Sequence, residues 1–200
     1  MHHFIFPSSD SWITSGSNLI TGVTEEDQNF GQDEILDLKK FYHNTSLHHH
    51  SRILINFDGP DLKVLSQSVS LGKITNPKYY LRLYSAEGNK DVSTEYKIAA
   101  FPLSESWDEG VGKFGDVPKV TNGVSWKYRN NKPGASAVEW HNNSVNETAL
   151  GYFQGGPSYI SQSGQQSGND DDIASQSFSY QSTDIDMDVT SVVKNWFSYT

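Results

Sequence analysis

The sequence predicts an all-β domain with an aromatic core and long polar loops, and three observations lead to this fold class. Aromatic residues make up 12% of the 200-residue chain, although hydrophobic residues in total make up only 35%. Aromatic side chains suit the half-buried, pleated surface of a sheet. Short segments of alternating apolar and polar residues lie between clusters of Gly, Asn, Asp and Pro, as expected of strands and turns. Disordered acidic chains are poor in aromatics, so the composition also argues against disorder.

The first half of the chain contains the clearest strand patterns. Residues 34–38 place apolar side chains among acidic ones. Residues 52–57 form the most apolar short run, and the cluster at 58–61 ends it, which predicts a central strand followed by a turn. Residues 79–84 alternate and end in another turn, and residues 94–103 are predicted to pair with them as a hairpin.

The second half is less regular. Between residues 104 and 131, Trp107, Phe114 and Trp126 are separated by Gly, Asp, Pro and Asn, which predicts long loops held down by buried aromatics. Residues 157–182 are mostly Gly, Ser, Gln, Asn and Asp and are predicted to form a long polar loop.

Short extended segments and one helix are predicted near the end of the chain. Residues 176–180, in the last part of the polar stretch, and residues 185–189 have strand-like sequences. A helix is predicted from Thr190, with Asp188 or Thr190 as its N-cap. Its apolar residues would share one helical face, namely Val192, Val193, Trp196 and Phe197.

Charge and missing motifs exclude several classes of protein. The formal net charge of −9 argues against nucleic acid as the main partner, because phosphate contacts require clustered Lys and Arg. No run of 18 apolar residues exists, so no membrane partner is expected, and the first residues lack the pattern of a secretory signal. The absence of cysteine excludes disulfides and thiolate sites. No nucleophile-elbow, zinc-protease or phosphate-loop motif occurs, so the chain is not expected to be an enzyme.

A series of short motifs follows a fixed order along the chain. They are Asp10-Ser11-Trp12-Ile13, Asn29-Phe30-Gly31, Arg52-Ile53-Leu54-Ile55-Asn56-Phe57-Asp58, Trp107-Asp108-Glu109-Gly110, Gly123-Val124-Ser125-Trp126, Trp140 before Gly155-Gly156, and Asp188-Val189-Thr190 before Trp196. In this order they resemble the DNRLRE domain, a β-sandwich family related to carbohydrate-binding jelly rolls and found on bacterial surface proteins, polysaccharide-active enzymes and phage virion proteins. The resemblance spans about residues 8–197.

The resemblance implies a more specific fold, a single jelly-roll-like antiparallel β-sandwich over residues 1–200 with one short C-terminal helix. It also implies a set of structural framework residues, namely Arg52, Phe57, Asp58, Trp107, Trp126 and Trp196. The family has a closing strand after the helix, whereas this sequence stops at Thr200. We therefore expect either that a partner chain supplies the strand at an open sheet edge or that the sequence belongs to a longer product.

Aromatic residues outside the framework motifs are candidate ligand contacts. Trp140, with the surrounding Tyr128 and Tyr152, is predicted to form a ligand or partner face, since aromatic faces stack on sugar rings in carbohydrate-binding jelly rolls. For Trp107 and Trp126 we expect core packing beneath loops instead.

Acidic and histidine-rich segments are candidates for metal binding. Asp184, Asp186 and Asp188 occupy alternate positions and would share one side of a strand, where they could supply oxygens to a structural calcium ion. A solvated acidic face is the alternative, because the spacing does not match an EF-hand. Three consecutive imidazoles at residues 48–50 point to alternate faces of a strand and cannot all bind one ion, which favours a polar loop tip before the strand at 52–57.

Two functions fit these expectations. The leading one is a non-enzymatic structural protein of a phage virion, in a tail, baseplate, fibre or capsid-decoration role, assembled in the host cytoplasm. Its partners would be other virion proteins and symmetry copies of itself. The alternative is a carbohydrate-binding module that recognises a host-surface polysaccharide.

Overall fold

The computed structural model describes residues 2–17, 22–43, 47–86, 95–103, 105–140, 173–179 and 184–198. Their elements, in chain order, are β1 Ser9–Thr14, β2 Lys40–His43, β3 Leu47–Asn56, α1 Pro60–Ser70, β4 Tyr80–Leu83, β5 Glu95–Ala100, β6 Tyr128–Asn130, β7 Val138–Glu139, β8 Ala174–Ser179, β9 Ile185–Asp188 and α2 Thr190–Ser198. In this part of the chain the strands form one three-stranded sheet and three strand pairs. The mainly-β prediction is confirmed, and the jelly-roll sandwich stays a prediction.

The chain divides into two compact units, each built from two separate stretches of sequence. Unit 1 comprises Met1–Gly59 and Glu105–Ser158, and unit 2 comprises Pro60–Ser104 and Tyr159–Thr200. The sequence predicts a single domain, whereas the contacts gather into these two units. Within the described residues, no helix has the length and apolarity needed to cross a bilayer.

The main sheet of unit 1 has the antiparallel order β1-β3-β2. The strand predicted at residues 52–57 is present, because β3 extends to Asn56. β3 is the middle strand of the sheet, but its residues 52–56 pair with β1 and its residues 47–50 pair with β2, so the central position belongs to β3 as a whole and not to the predicted segment. β3 also begins earlier than predicted, at Leu47, and its first residues pair with β2. The predicted polar loop tip at residues 48–50 is therefore wrong. His49 is buried, and its Nδ1 accepts a hydrogen bond from the Ser17 N–H at 3.1 Å.

The alternating pattern at residues 34–38, which continues into residues 39–42, forms a strand only in its last part, where β2 begins at Lys40. Ile35 and Leu38 are exposed, so the alternating apolar side chains have no core to face. The segment is instead tied to β3 by Ser51, whose hydroxyl donates to the Asp37 carbonyl at 2.6 Å. The Lys39 N–H donates to the same hydroxyl at 2.6 Å, which fixes the entry into β2.

Asn29 joins the loops of unit 1. Its side chain is fully buried and donates from Nδ2 to the carbonyls of Glu109 and Val124, at 2.7 and 2.8 Å. Its Oδ1 accepts from the Gly112 N–H at 2.7 Å and from the Gly31 N–H at 3.2 Å. One amide therefore holds together stretches of backbone that are about 80 to 95 residues apart in sequence. The long loops predicted for residues 104–131 are held in this way.

Unit 2 contains two strand pairs, and the predicted hairpin is wrong. β4 pairs antiparallel with β9, and β5 pairs antiparallel with β8. Both predicted strands exist, but their partners come from the end of the chain because the apolar faces meet in one core. Buried Ala174, Met187 and Val192 form that core, with Leu81 and Ile98 packed against it.

The prediction of a polar loop over residues 157–182 is wrong for residues 174–179, which form β8. Residues 174–179 are a strand in which Ala174 and Phe178 point inward and are buried. The Phe178 ring stacks on Tyr96 of β5 at a centroid distance of 4.8 Å. The extended segments predicted at 176–180 and 185–189 are confirmed by β8 and β9, and residues 157–172 lie outside the described residues.

Helix α1 corrects the prediction that the chain has only a C-terminal helix. Residues 58–61 were predicted as a turn, but Pro60 begins a helix, a position that suits proline because its missing N–H is not needed there. Asp61 lies in the first turn, where a carboxylate interacts favourably with the helix dipole. The half-buried Leu62, Leu65 and Val69 recur at helical spacing, but no residue of α1 is fully buried.

Helix α2 begins where the sequence predicts. The Thr190 N–H donates to Asp188 Oδ1 at 2.9 Å, which makes Asp188 the N-cap. Val192 and Val193 are buried, as expected of the apolar face. The side chains of Trp196 and Phe197 lie outside the described part of the structure.

Candidate functional site

An exposed row of aromatic and charged side chains lies on the β4–β9 pair of unit 2. Tyr80 and Arg82 occupy alternate positions of β4 and project to the same side, because successive side chains of a strand point to opposite faces. Tyr84 follows directly after the end of β4. Tyr80 is 53% exposed and Tyr84 is 79% exposed. In β9, Asp188 lies opposite Tyr80 and Asp186 lies opposite Arg82, and Asp184 directly precedes the strand. We call this set the tyrosine face; its members are Tyr80, Arg82, Tyr84, Asp184, Asp186 and Asp188.

The other side of the same strand pair explains why the tyrosine face is exposed. Leu81 lies opposite Met187, and Leu83 lies opposite Ile185. Leu81, Ile185 and Met187 belong to the core of unit 2. Because the apolar positions must face this core, the alternating tyrosines and the arginine are turned toward solvent.

Ion pairing holds the centre of the tyrosine face. Arg82 Nε donates to Asp186 Oδ1 at 3.1 Å, and Arg82 Nη2 donates to Asp186 Oδ2 at 3.3 Å. The two bonds form a bidentate pair, which orients both groups. Hydrogen bonding to Asp186, with its negative charge, raises the pKa of the Arg82 guanidinium above its usual value. Both side chains are about half exposed, so the pair contributes orientation more than stability.

Asp186 and Asp188 occupy alternate positions of β9, Asp184 directly precedes the strand, and each of the three carboxylates has its own partner. Asp184 Oδ1 accepts from the Ser85 N–H at 2.9 Å, and Asp186 binds Arg82. Asp188 caps α2, and its hydrogen bonds with Thr190 lower its pKa below the ordinary value. In the described ranges, no three His, Cys, Asp or Glu side chains are grouped as metal ligands. The calcium site at these residues stays a prediction.

Of the predicted aromatic ligand face, the two described residues, Trp140 and Tyr128, are not exposed. The Trp140 ring is only 3% exposed, and its Nε1 donates to the Ser125 carbonyl at 3.0 Å. A buried ring cannot stack on an external sugar, so the structure gives Trp140 a packing role. Tyr128 is half-buried in β6, and Tyr152 lies outside the described residues.

The framework residues implied by the motifs are distributed between core and surface. Trp126 is buried, and the Arg52 guanidinium lies 4.7 Å from the centroid of its ring, within the range of a cation–π contact. Trp107 and Phe57 are half-buried, and Asp58 is exposed. The side chain of Trp196 is outside the described part of the chain.

Unit 1 has exposed aromatics of its own, and one of them is Phe114, which is 53% exposed. Its ring lies next to the stacked pair Trp12 and Phe30, whose centroids are 3.9 Å apart. The Lys39 ammonium lies 5.9 Å from the centroid of Phe114 and pairs with Asp37 at 2.7 Å. We call the half-exposed ring with its neighbouring ion pair the Phe114 site; its members are Phe114, Lys39 and Asp37.

Comparisons with known proteins assign no function to these surfaces. No family model, no curated protein and no solved structure matches the chain. The resemblance to the DNRLRE family therefore rests on the order of the sequence motifs.

Sequence reasoning missed both exposed aromatic sites, although it contained a signal for one of them. The alternation of residues 79–84 already separates Tyr80, Arg82 and Tyr84 from Leu81 and Leu83. No local signal marks Phe114, because its ring packs beside Trp12 and Phe30, which are distant in the sequence.

Proposed function

We propose that this chain is a non-enzymatic structural protein of a bacteriophage virion that binds other virion proteins, or further copies of itself, through the tyrosine face. The observation that carries the binding role is the exposed row of Tyr80, Arg82 and Tyr84. Tyrosine and arginine are enriched among the few residues that dominate the binding energy of protein interfaces. The virion setting is supported by the order of the motifs that resemble the DNRLRE family.

The geometry of the tyrosine face suits a protein partner. A tyrosine offers a large, rigid contact area and loses little conformational entropy on binding. The bidentate pair with Asp186 already orients Arg82 before a partner arrives, which reduces the cost of ordering the side chain. Asp184 accepts from the Ser85 N–H, and Asp188 caps α2 and pairs with Lys78 at 3.7 Å. With Asp186 there are three carboxylates beside the two cations Arg82 and Lys78, and this excess of negative charge favours a partner that presents basic groups.

The test replaces the two exposed rings and follows assembly. Phage particles are produced with the wild-type chain or with the double variant Tyr80→Ser/Tyr84→Ser, and the amount of the chain in purified particles is measured by mass spectrometry. We expect the wild-type chain to be present and the double variant to be reduced at least tenfold. Because both rings are exposed, the thermal stability of the free variant should match that of the wild type.

A matched control separates the tyrosine face from exposed apolar surface in general. Val117 is 95% exposed and lies in unit 1, so Val117→Ser removes an exposed apolar side chain without touching the tyrosine face. This control should enter particles like the wild type. Absence of the wild-type chain from particles would refute the virion role, and full incorporation of the double variant would refute the role of the tyrosine face.

A further inference from the structure

Helix α1 carries two sets of apolar side chains, and one of them is exposed. Leu62, Leu65 and Val69 are half-buried. Val64 and Leu71 lie on another side of the helix, where they are 60% and 68% exposed. Residues seven positions apart share a helical face, so these two side chains belong to one exposed stripe that runs along α1.

Ser68 occupies the middle of this exposed stripe. It follows Val64 by four residues and precedes Leu71 by three, so it lies on their face. Its hydroxyl donates to the Val64 carbonyl at 2.7 Å, which satisfies the polar group within its own helix. The distance between two packed helices depends on the side chains at their contact, and a small side chain allows a close approach. The stripe therefore has the shape of a helix-packing surface.

The two ends of the stripe carry opposite charges. Asp61 precedes Val64 by three residues on the same face and lies in the first turn of α1. At the other end the chain leaves the helix through Gly72, whose φ is 68°, and the Lys73 N–H donates to the Ser68 carbonyl at 2.9 Å. Both charged side chains are exposed. The stripe is thus negative where the helix begins and positive just after it ends.

This order of charges selects an antiparallel helix with the same stripe as the partner. A two-fold axis at Ser68 would place Val64 of each copy against Leu71 of the other. Asp61 lies about 10 Å from the axis at the helical rise of ~1.5 Å per residue. Lys73 begins beyond Ser68 on the opposite side, and its flexible four-carbon stem can extend further in that direction. Each Asp61 therefore comes within reach of the Lys73 end of the other copy.

A parallel pair of the same helices is disfavoured by electrostatics. It would place Asp61 of one copy beside Asp61 of the other, and like charges repel each other. It would also bring together two helix ends of the same dipole sign, whereas an antiparallel pair joins opposite ends. Both terms favour the antiparallel arrangement.

We infer that α1 is a self-association surface, on which a second copy of this chain packs its own α1 in the antiparallel direction. The partner is a second copy because the stripe is complementary to itself in apolar pattern and in charge when it is rotated about Ser68. An 11-residue helix offers fewer than the roughly 20–30 residues a side of a standard interface, so the dimer is weak and reversible. It shares no residue with the tyrosine face.

The first test uses the absence of cysteine from the sequence. Ser68→Cys places a single thiol at the axis, and Ser70→Cys is the matched control, because Ser70 is an exposed serine of the same helix that points away from the stripe. Under mild oxidation Ser68→Cys should form a covalent dimer about tenfold faster or more, since a disulfide requires two Cα atoms within about 7 Å. Equal rates in the two variants would contradict the axis.

The second test measures the dissociation constant of the dimer by sedimentation equilibrium at concentrations up to about 0.5 mM, as a weak interface requires. Val64→Ser/Leu71→Ser should raise the dissociation constant about tenfold or more, because it removes the exposed apolar contacts. Asp61→Lys and Lys73→Asp should each raise it about threefold or more, and the double variant should return close to the wild-type value, because opposite charges again face each other. Damage to the helix by one substitution would not be reversed by the other.

The tyrosine face supplies the control that separates this inference from the proposed function. Tyr80→Ser/Tyr84→Ser leaves α1 intact and should dimerise like the wild type, and circular dichroism shows that each variant is folded. The inference is overturned by a chain that stays monomeric at every concentration, by a dimer that Val64→Ser/Leu71→Ser leaves unchanged, or by a charge-swapped double variant no better than the single ones. Loss of the dimer in the tyrosine variant would show that copies meet through the tyrosine face and not through α1.

Discussion

Replacing Asn29 with Ala should strongly destabilise unit 1. The change removes four hydrogen bonds made by one fully buried side chain and leaves the carbonyls of Glu109 and Val124 and the N–H groups of Gly31 and Gly112 without their partner. A buried polar group that loses its partner costs about 1–3 kcal/mol. Even if water satisfies half of these groups, we expect a loss of about 4 kcal/mol, a large part of the ~5–15 kcal/mol that stabilises a typical domain.

The assay is urea denaturation followed by tryptophan fluorescence, which reports on unit 1 through the buried Trp12, Trp126 and Trp140. Asn29→Asp should be destabilised as well, because a carboxylate cannot donate to the two carbonyls. Asn131→Ala is the milder control, since Asn131 Nδ2 makes one part-buried bond, to the Thr121 carbonyl at 2.9 Å, worth about 1 kcal/mol. A loss below about 1 kcal/mol in Asn29→Ala would refute the view that this side chain holds the loops together.

Three further predictions concern packing and capping. Gly31→Ala should prevent unit 1 from folding normally, because the added Cβ would overlap the Glu109 carbonyl, and the urea midpoint should fall sharply. Gly115→Ala is the control, and its urea midpoint should change little because an added Cβ there has open space. Trp140→Phe should lower stability by about 1–3 kcal/mol through the lost bond to the Ser125 carbonyl, and an unchanged urea midpoint would contradict the burial of Trp140. Asp188→Ala should cost about 1 kcal/mol as a lost N-cap. The folded-state pKa of Asp188 lies below its unfolded value. The stabilisation that its ionised carboxylate gives the folded state is therefore present above about pH 3.8 and disappears as the pH falls through the folded pKa. The free energy of unfolding of Asp188→Asn, measured against pH, should lack this part of the acid dependence.

Short elements with strong local signals could be predicted from the sequence. The apolar run at residues 52–57 predicts a strand, and it forms the part of β3 that pairs with β1 and buries Leu54. Helix α2 begins at Thr190 because a carboxylate two residues earlier caps its first turn. Both depend on residues that are close together in the chain.

Strand partners could not be predicted in the same way. Residues 95–100 have the right alternation for a strand, but they pair with β8 rather than with the preceding β4. Their partner depends on which apolar faces meet in the core of unit 2, and that core joins Leu81 to Met187 across more than 100 residues. Local pattern carries no information on such a choice.

The candidate sites show the same difference between what local sequence predicts and what tertiary packing determines. Trp140 was expected to contact a ligand because of its residue type, but the fold buries it against the Ser125 carbonyl. Phe114 was expected to be a buried anchor, but the fold leaves half of its ring exposed beside Lys39. Residue type identified aromatic side chains able to bind, and only the packing around each ring decided which of them is accessible.

The mainly-β class, the strand at residues 52–56 and the capped start of the last helix follow from the sequence alone. These features depend on side-chain alternation and on hydrogen bonds between near neighbours. Tertiary structure alone decided the strand partners, the role of Asn29 as the link between loops, and the exposure of Tyr80, Tyr84 and Phe114. The physical reason is that burial depends on which distant segments meet, and the pattern of nearby residues does not contain that information.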